Sequence, residues 1–149
     1  PMGDIAHRHQ GTMDKHIGDS MMVVFGSPVA QPDDALRAVT SAVEMQKKAL
    51  QIDARLQSHS HLRLRIGIGI AGGTVFSGIM GSSRKKEFTS VGMAVNIASR
   101  LQSMAREGEI LLDAHTMDLV GAHFDALPLP AVTVKGIDEP IRAYRIKVG

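Results

Sequence analysis

The sequence predicts a mixed α+β domain in which helices cover a mixed or antiparallel sheet. Three observations predict it. Residues 62–70, Leu-Arg-Leu-Arg-Ile-Gly-Ile-Gly-Ile, alternate between large apolar residues and Arg or Gly, the period of a strand with one buried face. Leu36, Val39, Val43 and Leu50 recur at helical spacing, and Ala42 and Ala49 widen the stripe, as in an amphipathic helix lying on a sheet. Strand and helix signals then interleave without strict βαβ regularity.

The elements follow in order. Ile5 and Ala6 read as the last turns of a helix stopped by Gly11. A domain rarely begins at the tail of a helix, so upstream sequence is expected before Pro1, and no signal-peptide pattern is present. Residues 12–17 and 21–25 read as a β-hairpin turning at Gly18 and Asp19. Pro28 and Pro32 mark a loop. Asp33 and Asp34 open the long helix, their charges suiting its positive end, and Lys47, Lys48, Asp53 and Arg55 are assigned to its polar side. Gly67 and Gly69 weaken a strand unless something must approach its backbone. After a turn at Gly72 and Gly73, residues 74–79 form a second strand, 81–86 a polar basic loop and 87–91 another strand. Gly92 hands over to a helix of about 14 residues. Ala94, Ala98, Leu101 and Ala105 form one of its faces, and Asn96, Ser99, Arg100 and Ser103 the other. Residues 110–112 are a short strand and 114–120 a short helix. Residues 132–135 and 141–148 are final strands flanking a Gly-Ile-Asp-Glu-Pro turn. One domain, residues 1–149, is expected.

Composition bounds the function. At 149 residues, 44% apolar and 21% charged, the chain is large enough to bury a single core, which excludes wholesale disorder, a collagen-like fibre and a coiled-coil rod. Aromatics are only 3%, so the core must be built from Val, Ile, Leu, Ala and Met. The absence of cysteine excludes a disulfide scaffold, a thiol nucleophile and any Cys-based metal site. A net charge of +2 is too slight to argue for nucleic acid. No apolar run approaches the roughly 18 residues of a membrane span.

Taken singly, the polar candidates have two readings each. Asp19 after Gly18 is placed to hold a divalent cation through its oxygens, or simply to satisfy the turn, which is the commoner job of Asp there. Asn96 and Arg100 project from one helix face, one turn apart. They form a donor-rich patch suited to a sugar and a phosphate, or an ordinary solvated face. The Gly72–Gly73 turn and the basic loop offer backbone N–H groups and charge to a phosphate, or serve as hairpin turns. The pairs His7/His9 and His59/His61 lack a third ligand at metal spacing.

Their joint order changes the weighing. Thr12-x-x-Lys15-x-x-Gly18-Asp19, Leu64-Arg65-x-Gly67-Ile-Gly69, Glu87-Phe-Thr89-x-x-Gly92-x-x-Val95-Asn96-x-Ala98-Ser99-Arg100 and Val134-Lys135-Gly136 together resemble the catalytic domain of class III adenylate/guanylate cyclases. The resemblance runs from the first residues to near the C-terminus. Lys-x-x-Gly-Asp and Val-Asn-x-Ala-Ser-Arg are its most specific motifs.

The resemblance implies a ferredoxin-like α+β domain that pairs head to tail, lacking its first strand and helix in this sequence. Asp19 matches the second of two aspartates holding two Mg²⁺ or Mn²⁺ ions. Lys15 matches the lysine that reads the purine. Thr89 stands where its partner is usually Asp, an arrangement favouring ATP over GTP. Asn96 matches the asparagine that orients the ribose, Arg100 the arginine that stabilises charge on the reacting phosphate, and Lys135 a lysine near the triphosphate. In homodimeric relatives the metal aspartates come from one chain and the lysine, asparagine and arginine from the other. The implied product is cyclic AMP, in the cytoplasmic domain of a protein whose upstream part is a sensor or membrane region. Two departures stand out. Met93 replaces the usual Asp of Gly-Asp-x-Val-Asn, and the Phe-x-Asp strand with the first metal aspartate has no counterpart, since Asp4 lacks its context. Met93 is expected to perturb a loop contact rather than the chemistry, whereas the missing aspartate implies crippled metal binding and weak or absent turnover by the 149 residues alone. A cyclase-homology domain that binds nucleotide or a partner without turnover is the competing reading. A GTP-specific cyclase would need purine contacts that Lys15 and Thr89 do not offer.

Overall fold

The computed structural model describes residues 2–17, 20–26, 31–59, 62, 64–73, 76–81, 86–137 and 140–148, with backbone alone for 14–17, 76–81, 86–91 and 122. Helix α1 (Met2–Arg8) buries Ile5 and Ala6 beside Met45. It closes in a Schellman pair of bonds, Gly11 N–H to the Ala6 carbonyl at 2.8 Å and Gln10 N–H to the His7 carbonyl at 2.9 Å. The left-handed residue is Gln10 (φ 64°), one position before the expected stop. Gly11 is bare for another reason: a methyl there would stand 2.7 Å from Val23 Cγ1.

Strands β1 (Thr12–Ile17) and β2 (Ser20–Val24) form the expected antiparallel hairpin. A bulge slips the register between Met13 and Lys15. Helix α2 (Asp34–His59) begins where Arg37 pairs with Asp33 and Asp34, donates to the His9 carbonyl at 2.7 Å and lies over the Phe25 ring. Val39, Ala42, Met45 and Ala49 face inward, together with Ser41, Gln46 and Asp53. Asp53 is therefore not on the solvated side assigned to it. Its carboxylate accepts from Leu64 N–H at 2.8 Å, Arg65 Nε at 2.9 Å and Gln57 Nε2 at 3.0 Å.

The next strand is short: instead of running from 62 to 70, β3 is only Ile68–Ile70. Upstream of it the Leu64 N–H is committed to Asp53, while the Ile66 carbonyl accepts from Gly108 N–H at 3.0 Å. β4 (Phe76–Gly81) and β5 (Lys86–Val91) make a separate antiparallel hairpin with Gly78 opposite Thr89. The connecting basic residues 82–85 lie outside the described residues. Helix α3 (Met93–Met104), strand β6 (Glu109–Asp113) and helix α4 (Ala114–Val120) follow. Asp113 caps α4 through the Thr116 N–H (3.0 Å) and hydroxyl (2.6 Å). A short 3₁₀ turn at 121–123 leads to β7 (Leu127–Pro128) and β8 (Ala143–Lys147).

The central sheet has the order β3-β6-β8-β7, with β3 parallel to β6 and the other pairs antiparallel. The period of β6 divides the core. Ile110 and Leu112 meet Val39, Ala42 and Val120 from α2 and α4, while Leu111 meets Ile97 and Leu101 from α3. The expected strand at 132–135 is reduced to a single bridge, Val132 opposite Ile141. The chain turns immediately afterwards, and the last strand begins at Ala143 rather than Ile141.

Candidate active site

Helix α3 carries the motif-bearing residues, and its environment explains how they are aimed. Gly92 precedes it at φ 151°, a conformation L side chains rarely adopt, and no side chain caps the helix start. Leu101, Ala94 and Ile97 are buried, whereas Asn96, Ser99, Arg100 and Ser103 are exposed. The two faces expected from the sequence are thus those observed, over twelve residues. On its buried side α3 sits against the bare backbone of Gly67 and Gly69. A methyl at Gly69 would overlap the Ala98 carbonyl oxygen and the Gln102 amide nitrogen, and one at Gly67 would lie 2.8 Å from the Ala105 carbonyl oxygen. The close approach that the two glycines foreshadowed is the approach of this helix.

Facing the exposed side of α3 is the turn that replaces the expected strand. Ile137 N–H donates to the Val134 carbonyl at 3.1 Å, and Gly136 has φ 87°, the sign a type II turn requires at its third residue. Val134 is buried with Leu101 and Ile97; Lys135, next to it, is exposed. Asn96, Ser99, Arg100, Ser103, Val134 and Lys135 line one open groove of about 440 Å³. Two cations, an amide and two hydroxyls meet there with no carboxylate among the described lining residues, a donor set that suits a phosphate and a sugar.

The other predicted residues are placed less fully. Lys15 lies on β1 and Thr89 on β5, strands that lie side by side. Their side chains, and Asp19 altogether, lie outside the described residues. Among the described residues no group of three or more His, Asp or Glu is gathered as a metal site, and no helix is long and apolar enough to cross a membrane. Met93, in the first turn of α3, is 59% exposed.

A second groove, of about 540 Å³, is lined by Arg106, Glu107, Glu109, Arg145 and Lys147 and contains none of the predicted residues. Arg145 stands 3.3 Å from the nearly buried Glu109 carboxylate. The i, i+2 spacing of Arg145 and Lys147 on one strand face was its only signal in the sequence.

The family model for the adenylate and guanylate cyclase catalytic domain matches residues 2–148, and the chain belongs to that family. The crystal structure of the adenylyl cyclase CyaB from P. aeruginosa superposes with a TM-score of 0.91 at 33% identity, covering 97% of this chain and 75% of that one. The guanylyl cyclase Cya2 superposes with a TM-score of 0.90 at 34% identity, covering 99% and 76%. The "Adenylate cyclase, terminal-differentiation specific" of Dictyostelium discoideum is 30% identical over 141 residues, which is 91% of this chain but 6% of that protein. Rat adenylate cyclase type 10 is 33% identical over 132 residues, 86% of this chain and 8% of that protein. The chain therefore spans under a tenth of the length of these two relatives. Its α+β fold is that of the cyclase domain. Adenylyl and guanylyl cyclases superpose equally well, so the choice of purine falls to individual side chains.

Proposed function

We propose that this chain is the catalytic domain of an adenylate cyclase, converting ATP to 3′,5′-cyclic AMP and pyrophosphate at the interface of a homodimer. The observation that carries the reading is the grouping of Asn96, Arg100 and Lys135 on one groove with no carboxylate among its described lining residues. In it, Asn96 holds the ribose so that the 3′-hydroxyl faces the α-phosphate in line. Arg100 meets the negative charge that grows on the reacting phosphate, and Lys135 the charge of the triphosphate. Lys15 donates to adenine N1, an acceptor that guanine replaces with an N–H, and Thr89 accepts from the adenine amino group. Asp19, a hard oxygen donor, suits Mg²⁺ or Mn²⁺. Those ions, when bound, supply activation of the attacking oxygen and neutralise the leaving phosphates. Asp19 serves the groove of the partner copy, so two equivalent sites form about a two-fold axis. The adenylate cyclases of D. discoideum and rat among the relatives support the ATP reading. In the full-length protein this domain is the cytoplasmic output of an upstream sensor or membrane region.

A second reading, a homology domain that binds nucleotide without turnover, is favoured by one observation, the exposed Met93 where the family usually has Asp. The experiment that separates them uses a polypeptide carrying this chain with whatever its gene encodes immediately upstream. It is incubated with Mn²⁺ and either ATP or GTP, and cyclic AMP and cyclic GMP are quantified. The expected result is cyclic AMP in excess, with kcat lowered about 10²–10³-fold by Arg100→Ala. An Arg100→Ala variant as active as its parent would remove the catalytic assignment. A dimer that binds ATP and forms no product would establish the second reading.

A further inference from the structure

We infer that Gly69 is a positioning residue of the cyclase reaction: its missing side chain sets the depth of α3 on the sheet, and so the stance of Asn96 and Arg100. The inference rests on the proposed roles of those two side chains.

The argument begins with what a methyl at Gly69 would meet. All three of its nearest atoms are backbone, the Ala98 oxygen, the Gln102 nitrogen and the Leu101 carbonyl carbon. A clash with a side-chain tip is relieved by a rotamer change; one with helix backbone is relieved only by moving the helix or the strand. The strand is held. Ile68 and Ile70 pack into the cluster beneath the sheet, β3 is paired with β6 from Ile68 to Ile70, and Gln46 Nε2 grips the carbonyls of Ile66 and Glu109 at 3.0 and 2.9 Å. The helix must therefore yield. The contact lies between residues 98 and 102, the turn that carries Arg100 and lies just after Asn96. Gly67 forms a second point of the same seat under Ala105, so two glycines fix both the depth and the tilt of the helix. Strand β1 with Lys15 is a separate element, and Thr89, although β5 runs into α3 through Gly92, is held by its pairing with Gly78 on β4. A displaced α3 that pivots at Gly92 leaves the base-reading residues in place and misplaces the ribose and phosphate contacts, for which a shift of about 1 Å costs on the order of 10²-fold in rate.

The test compares Gly69→Ala with Arg100→Ala and Asp19→Asn in the cyclase-active polypeptide, with melting temperature and dimer mass measured for each. Gly69→Ala is expected to lower kcat about 10²-fold while KM for ATP stays within roughly threefold, with melting temperature well above the assay temperature and dimer mass equal to the parent's, so that a smaller folded fraction does not account for the loss. Mixed dimers supply a second readout. Gly69→Ala and Asp19→Asn damage opposite halves of the shared site, so their mixture regains cyclic AMP formation. Gly69→Ala and Arg100→Ala damage the same half, and their mixture stays inactive. A Gly69→Ala kcat near that of the parent, or recovery on mixing with Arg100→Ala, overturns the inference. Failure of Arg100→Ala and Asp19→Asn to complement one another would instead refute the two-chain site, leaving the kcat and KM split to judge Gly69. If Gly69→Ala does not fold, Gly67→Ala takes its place, with about a tenfold loss of kcat expected; an unchanged kcat there is equally fatal.

Discussion

Asp53 Oδ2 accepts a hydrogen bond from Arg65 Nε at 2.9 Å, joining the last turns of α2 to the segment that becomes β3. The carboxylate is almost wholly buried and also accepts from Leu64 N–H and Gln57 Nε2. Removing it with Asp53→Ala strands these donors, at a cost of about 3 kcal/mol. In a chain of this size that corresponds to roughly 10 °C in melting temperature. Asp53→Asn keeps one acceptor and is expected to lose about half as much. Arg65, a third exposed, matters less, and Arg65→Met is expected to cost about 1 kcal/mol. Urea denaturation of the three variants checks the order, and an Asp53→Ala variant as stable as the parent would refute it.

Gln46 makes a sharper case, since its buried amide donates to two carbonyls, those of Ile66 and Glu109. Gln46→Leu keeps the volume and loses both bonds, about 2 kcal/mol. Gln46→Glu is expected to be worse at neutral pH, because a carboxylate would face two acceptors. The sign of its pH dependence follows. Burial raises the folded-state pKa of that new carboxyl, so the folded state binds the extra proton and stability recovers as pH falls toward about 4.3. Denaturation at pH 7 and pH 4.5 would show the gap between the Glu and Leu variants narrowing; a constant gap would mean the amide is not donating.

These two residues mark the boundary of what the sequence makes legible. The faces of α3 and the limits of α4 follow from periodicity and capping, both local, and the structure has them where expected. The α1 helix, the β1–β2 hairpin and the α2 stripe are legible for the same reason. Asp53 is not, because a carboxylate late in a helix looks like a solvated one until its partners, more than ten residues downstream, are placed beside it. The same partnership takes the Leu64 N–H out of the alternating stretch at 62–70. The strand expected at 132–135 fails on Gly136, whose positive φ turns the chain. Asn96, Arg100 and Lys135 stand out by motif. Their meeting on one groove depends on that turn and on the two glycines beneath α3, neither of which periodicity encodes.

Met93 offers a test of the two functional readings. It occupies the first turn of α3, where there is no acidic residue and no side-chain cap. Met93→Asp places a negative charge at the positive end of the helix, worth about 0.5–1 kcal/mol, or roughly 2–3 °C. If the domain is already a competent cyclase, kcat changes less than about twofold, because 1 kcal/mol of helix stability does not touch the transition state. An increase beyond tenfold would show that Met93 silences the site and would favour the non-catalytic reading of the parent chain. Cyclic AMP assays of parent and variant under Mn²⁺ decide it.

On the proposed function, the purine choice turns on Lys15. An ammonium only donates, which matches the bare N1 of adenine and conflicts with the N1–H of guanine. Lys15→Glu inverts the site: the carboxylate accepts from guanine N1–H and repels the adenine N1 lone pair. A site built to hydrogen-bond one partner rejects the unmatched one by up to about 10⁴-fold, since the buried group is left unpaired. The ratio of kcat/KM for ATP over GTP is therefore expected to fall at least about 10²-fold in Lys15→Glu, read by separating cyclic AMP from cyclic GMP after incubation with both nucleotides at equal concentration. Thr89 is left unchanged, so the shift in the ratio reads the one inverted contact. A ratio that does not move would mean that the base is read elsewhere, and with it the assignment of ATP as the substrate would lose its physical basis.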